Sequence, residues 1–171
     1  DDAQEARLMS TVENAVWAAD GNNTDKPVYV VYSTECAWSK RLFEQSRQLA
    51  DKVQLRWIPI GATAAPDVVA ARSSSSVAGA FSGKRVIPAD LSKAQRGVDY
   101  NSGVMNSITY QLRPHDRATN FVLPSLIYQT AEGLKVVAGI PANLEAMAND
   151  VVSTPEKAGI QPAAIDLTSV P

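Results

Sequence analysis

Apolar positions along the chain alternate between helical and extended patterns. Over Ala3–Ala19, Leu8, Val12, Ala15, Val16 and Ala19 recur at helical spacing with charges between them, and Asp20-Gly21-Asn22-Asn23 supplies a stop. Pro27 then leads into Val28-Tyr29-Val30-Val31-Tyr32, a continuous β-branched and aromatic run that suits a strand covered on both faces. After Ser33-Thr34-Glu35-Cys36 a helical pattern resumes with Leu42, Phe43 and Leu49, and Val53–Ile60 reads as a second strand closing at Gly61. Strand, helix and strand in about 35 residues predict a βαβ unit with a right-handed crossover.

The middle of the chain is helical. Pro66–Phe81 is alanine-rich, starts from a proline suited to the first helical position, and ends at Ser82-Gly83-Lys84; the serines at 73–76 weaken it. Asp90–Leu112 places Leu91, Val104, Met105, Ile108 and Leu112 on related faces, with Gly97 and Gly103 as interruptions. Pro114–Asn120 is a polar loop, and Phe121–Tyr128 is a strand with Pro124 inside it. Glu132-Gly133 turns the chain into Leu134–Ile140, a hairpin signal. Ala142–Val152 is a last amphipathic helix, followed by a proline-containing surface tail over about 154–171. The order is that of an α/β fold in one domain, 1–171, without internal repeats.

Composition narrows the function classes more than it names one. The 171 residues are 45% hydrophobic and 20% charged with a formal net charge of −2, which gives no electrostatic basis for binding nucleic acid. No apolar run approaches the roughly 18 residues needed to span a bilayer. One cysteine and one histidine exclude a disulfide framework, a Cys-rich zinc site and a multi-histidine metal centre, so no metal and no cofactor are expected.

That cysteine, Cys36, lies between a buried strand and the first turn of a helix. Backbone N–H groups there are unpaired and carry partial positive charge, which stabilises a thiolate and favours the nucleophilic form. Lys40 adds a positive charge near the same turn, and Glu35 opposes it. A lone cysteine elsewhere reads as a small buried side chain without a role, but this junction reverses the odds. Pro124 marks either an edge strand or a cis bond that packs a turn against another site.

The order strand, cysteine, helix, strand, then proline, strand, hairpin, helix resembles the thioredoxin fold. Trp17-Ala18-Ala19-Asp20-Gly21, Pro27–Tyr32, Cys36-Ala37-Trp38-Ser39-Lys40 and Val53-Gln54-Leu55-Arg56 are similar to the catalytic domain of the DsbG and DsbC family of periplasmic disulfide isomerases and thiol reductases. Val122–Tyr128 and Val137-Ala138-Gly139-Ile140-Pro141 resemble that family's cis-proline strand and closing hairpin. The resemblance runs from about Ala15 to Val152 and implies a thioredoxin-like fold with a helical insertion over about 62–118. It further implies a periplasmic location, Cys36 as nucleophile, and Pro124 as a cis-proline facing it. Ala37, Trp38, Leu123 and Pro124 would then line the substrate groove, with Trp38 as an exposed apolar rim, while Trp17 and Trp57 are core.

Three departures matter. Ser39 stands where the family has its second cysteine, Leu123 stands where the isomerases carry threonine, and only one helix precedes the first strand, so a V-shaped dimer is not expected and the chain reads as a monomer. A single thiol can attack a disulfide or sulfenic acid and form a mixed disulfide with a cysteine-containing protein. Release then needs an external thiol or a reductase; Ser39 can hydrogen-bond the Cys36 sulfur but cannot resolve the adduct. The alternative is a redox-inactive thioredoxin-fold module for binding or assembly in the bacterial envelope or a secretion or conjugation system. A peroxiredoxin is disfavoured because its Pro-x-x-x-Thr-x-x-Cys signature is absent, and the P-loop-like stretch Gly79–Arg85 reads better as a helix end. His115, in its polar loop, reads as solvated.

Overall fold

The computed structural model of the chain describes residues 1–112 and 122–154. The expected loop around His115, the start of the predicted strand at Phe121, and the tail after Thr154 lie outside the described residues.

The first helix, α1, spans Asp2–Glu13, with the Asp1 side chain accepting from Gln4 N at its start. It is shorter than its apolar spacing predicts, and the reason is Asn101. That fully buried side chain accepts from Val16 N–H at 2.9 Å and donates to Val16 C=O at 2.9 Å, which holds the segment extended. Ala18–Asp20 then forms a short strand, β1, so Ala15 lies in the bend that ends the helix, and Val16 and Ala19 lie beyond it in non-helical backbone. Gly21 turns the chain at φ +121°, where an added Cβ would collide with the carbonyl of Val53.

Strand β2 is Pro27–Tyr32, helix α2 is Ala37–Gln45 with a 3₁₀ turn at Ser46–Leu49, and β3 is Gln54–Pro59. β2 and β3 are parallel, Val28 facing Leu55 and Tyr32 facing Pro59, as the βαβ reading requires. The predicted helix Pro66–Phe81 is two helices, α3 (Ala65–Ala71) and α4 (Ser74–Phe81). Arg72 breaks it in left-handed backbone, φ 52°, and Ser73 starts the next helix through a capping box with Ser76. The serine run is therefore a helix start, not a weak helix. Helix α5 runs unbroken through Gly97 and Gly103 from Leu91 to Leu112.

The Leu123–Pro124 bond is cis and β4 begins only after it, at Ser125–Thr130, because proline lacks the N–H a ladder needs. β5 is Gly133–Ala138 and α6 is Leu144–Asp150, capped by the Asn143 side chain; both are shorter than their apolar patterns. The sheet order is β1-β3-β2-β4-β5, with β1–β3, β2–β4 and β4–β5 antiparallel. A parallel pair bridged by a helix, extended by an antiparallel strand and its hairpin partner, is the thioredoxin-like arrangement.

Helices cover both faces of the sheet. Val28, Val30 and Tyr32 of β2 with Leu55 and Trp57 of β3 pack against Leu42, Phe43, Val77 and Met147 on one side. Tyr29, Val31 and Ile58 pack against Leu8, Val12, Val104 and Ile108 on the other. Burial on both faces is why β2 is apolar at every position. Trp17 and Trp57 are both buried, and the Trp57 ring lies 5.0 Å from Tyr32, 5.6 Å from Phe43 and 6.3 Å from Phe81.

Candidate functional site

Parallel β2 and β3 end at the same edge of the sheet, and antiparallel β4 starts there. The loop after β2 therefore meets the loop before β4. After Tyr32 the chain makes a tight turn in which Cys36 N–H donates to Ser33 C=O at 3.2 Å, and Cys36 becomes the N-cap of α2. No side chain caps that helix start, so the cap position presents the half-buried thiol itself. Its S–H donates to the carbonyl oxygen of Leu123 at 3.7 Å. The thiol thus faces the peptide that precedes the cis Leu123–Pro124 bond. Pro124 is buried, its carbonyl accepts from Gly139 N–H at 2.7 Å, and the Ser125 hydroxyl donates to Val122 C=O.

Around the thiol the predicted residues separate. Ala37 and Lys40 are exposed on the first turn of α2, where Lys40 N–H donates to Cys36 C=O at 3.1 Å. Trp38 is 58% exposed, and the Arg41 guanidinium carbon lies 4.7 Å from its ring centroid. Leu123 is half-buried and Val122 beside it is 45% exposed.

Two expectations change. Ser39 is fully buried and its hydroxyl has no hydrogen-bond partner, so it does not bind the Cys36 sulfur; one helical turn points it under α2 instead of toward the cap. Glu35 is engaged elsewhere: its Oε1 accepts from Thr63 Oγ1 at 2.9 Å and Thr63 N–H at 3.2 Å. Those bonds, the hydroxyl first and the backbone N–H second, hold its carboxyl below the usual range. They also tie the cysteine turn to the loop between β3 and α3, a link that sequence reasoning missed.

Nothing else gathers comparable chemistry among the described residues. A cleft of about 530 Å³ between α1 and α5, lined by Ser10, Thr11, Asn14, Asp99 and Tyr100, lies on the opposite face of the sheet from α2 and holds no cysteine, histidine or lysine. Among them no group of three or more His, Cys, Asp or Glu could hold a metal ion, and no helix is long and apolar enough to cross a membrane.

The chain is similar in structure to ScsC of Proteus mirabilis. The likeness, to that protein in a compact conformation, has 10% identity over 84% of this chain and 77% of that one, with a TM-score of 0.48. No protein-family model and no curated protein sequence matches. Strand order and the parallel crossover carry the fold; that likeness is not needed for it.

Proposed function

We propose that this protein exchanges disulfides through Cys36 alone, in the manner of the DsbG and DsbC family, on cysteine-containing proteins of the periplasm. The observation that carries the reading is the half-buried Cys36 thiol at the start of α2, 3.7 Å from the Leu123 carbonyl that precedes Pro124. Thiolate attack on a substrate disulfide forms one S–S bond to Cys36 and expels the other substrate sulfur as thiolate. An external thiolate, or the substrate's own second thiolate, then attacks the mixed disulfide and returns Cys36 as thiolate. Electrons balance with no net oxidation, so the chemistry is shuffling or thiol transfer. Ser39 takes no part in it. Cys36 is the nucleophile, Ala37, Trp38, Leu123 and Pro124 contact the substrate, and Lys40 contributes positive charge on the first turn.

The second reading, a thioredoxin-fold binding module without turnover, draws on the exposure of Trp38 and the absence of a second cysteine. One measurement separates the two. The native chain incubated with glutathione disulfide should gain a single glutathione, placed at Cys36 by peptide mapping and removed by added glutathione. If only the urea-unfolded chain reacts, the exchange reading is wrong and the binding module stands.

A further inference from the structure

The sheet order places β2 between β3 on one side and β4 on the other, so the turn after β2 has a neighbour on each flank. Both flanks hold it. Toward β4, the Cys36 thiol donates to Leu123 C=O at 3.7 Å. Toward β3, the Glu35 carboxylate accepts from the Thr63 hydroxyl at 2.9 Å and from Thr63 N–H at 3.2 Å. Thr63 lies in the loop that leads from β3 into α3, a loop closed by Ala65 N–H donating to Ala62 C=O at 3.1 Å. Successive residues of one turn are thus drawn to opposite sides, the carboxylate one way and the sulfur the other.

That division bears on the thiolate. A negative charge beside a cysteine disfavours its ionised form, and the more so the closer it can approach. Glu35 is exposed and adjacent to Cys36 in sequence, so an untethered carboxylate there could swing across the turn. The two bonds from Thr63 confine it to the β3 side. The same bonds, the hydroxyl first, hold its carboxyl below the usual range, so it stays ionised wherever a thiol titrates. What Thr63 controls is where the charge sits.

Other charges near the turn do not substitute for Glu35 in this respect. Lys40 and Arg41 on α2 are exposed cations that favour a thiolate, and Arg41 lies over the Trp38 ring. On α3 the Asp67 carboxylate is held by Arg85. Glu44 lines a cleft toward α6, two turns along α2 from the thiol. On the β4 side Val122, Leu123 and Pro124 carry no charge.

We propose that Thr63 is a positioning residue for Cys36: it holds the Glu35 carboxylate on the β3 side, so that the thiolate forms on the β4 side without a negative charge facing it. Its consequence for turnover rests on the exchange reading; its effect on ionisation of the thiol does not.

The test is a titration of the thiol in the full chain, followed by the ultraviolet absorbance of the thiolate. Thr63→Ala should move the midpoint upward from the native one by about half a pH unit. Below that midpoint, the rate with bis(2-hydroxyethyl) disulfide should fall about twofold, because the smaller thiolate fraction is partly offset by its greater nucleophilicity. Thr63→Ser keeps both donors and should keep the native midpoint. In a Glu35→Gln background, Thr63→Ala should leave the midpoint where it was. Both residues are exposed, and circular dichroism checks that each variant is folded. An unchanged midpoint in Thr63→Ala overturns the proposal. So does a rise that persists with Glu35→Gln, which would assign the effect to a distorted loop and not to the placement of charge. If the native Cys36 fails to react with the small disulfide, the exchange reading is lost, and the midpoints still decide the role of Thr63.

Discussion

Glu35 precedes Cys36 in the chain, yet its carboxylate is held by Thr63 Oγ1 and N–H. The sign of the pH effect follows from that. A carboxyl whose folded value lies below its unfolded one adds stability above the ordinary range, and that stability is lost as pH falls through the folded value. Thr63→Ala should raise the Glu35 titration seen by carbon NMR and flatten the acid limb of stability; an unchanged Glu35 midpoint would mean the contact is not made in solution. Ser39 behaves differently. Its buried, unpartnered hydroxyl costs stability, so Ser39→Ala should raise the urea midpoint by the equivalent of about 1 kcal/mol. A lower midpoint would show that an ordered water pairs the hydroxyl. At this scale the sequence revealed Cys36 and Pro124, because a strand-to-helix junction and a proline in an apolar run are local signals. Thr63 was not legible, since a polar loop residue gives no sign of a partner 28 positions away.

Asn101 does for the elements what Thr63 does for the loops. It lies on the apolar face of α5 with Val98, Val104 and Ile108, and its amide also donates to Pro59 C=O at 3.0 Å. One side chain thus joins α5, the approach to β1 and the end of β3. Asn101→Ala would leave buried backbone groups at Val16 and Pro59 unpaired and should lower unfolding stability by at least about 2 kcal/mol in urea titration. A loss below about 0.5 kcal/mol would mean water replaces the amide. A polar residue within an apolar helical stripe was the available clue. The same bonds explain why α1 ends early: spacing alone cannot distinguish a helical continuation from a buried extended segment. Arg72 ends α3 by a related device, its Nε donating to Trp17 C=O at 3.0 Å, and burial lowers its guanidinium to about 10.

The sheet is shared by the cores on its two faces, and Asn101 ties α5 to the segment leading into β1 and to the end of β3. We therefore expect far-UV circular dichroism and amide-exchange protection of α5 to be lost at one urea concentration. Two separated transitions would show that α3–α5 fold apart from the sheet. The alternation of β-run, helix and hairpin was enough to read the α/β order, because each element carries its own period. Where helices end and which loops touch depended on long-range polar contacts. The same layering places each of the three tryptophans in a different medium. Trp57 lies in an aromatic cluster with its indole N–H on Asp20, Trp17 has the Arg56 and Arg72 guanidinium carbons 4.3 and 5.6 Å from its ring, and Trp38 stands in solvent two residues from the thiol. The chain therefore contains its own optical probes. Red-edge emission from Trp38 reports whether the thiol's doorway is occupied, while blue-edge emission from Trp57 gives an internal standard for the folded state, with no dye attached.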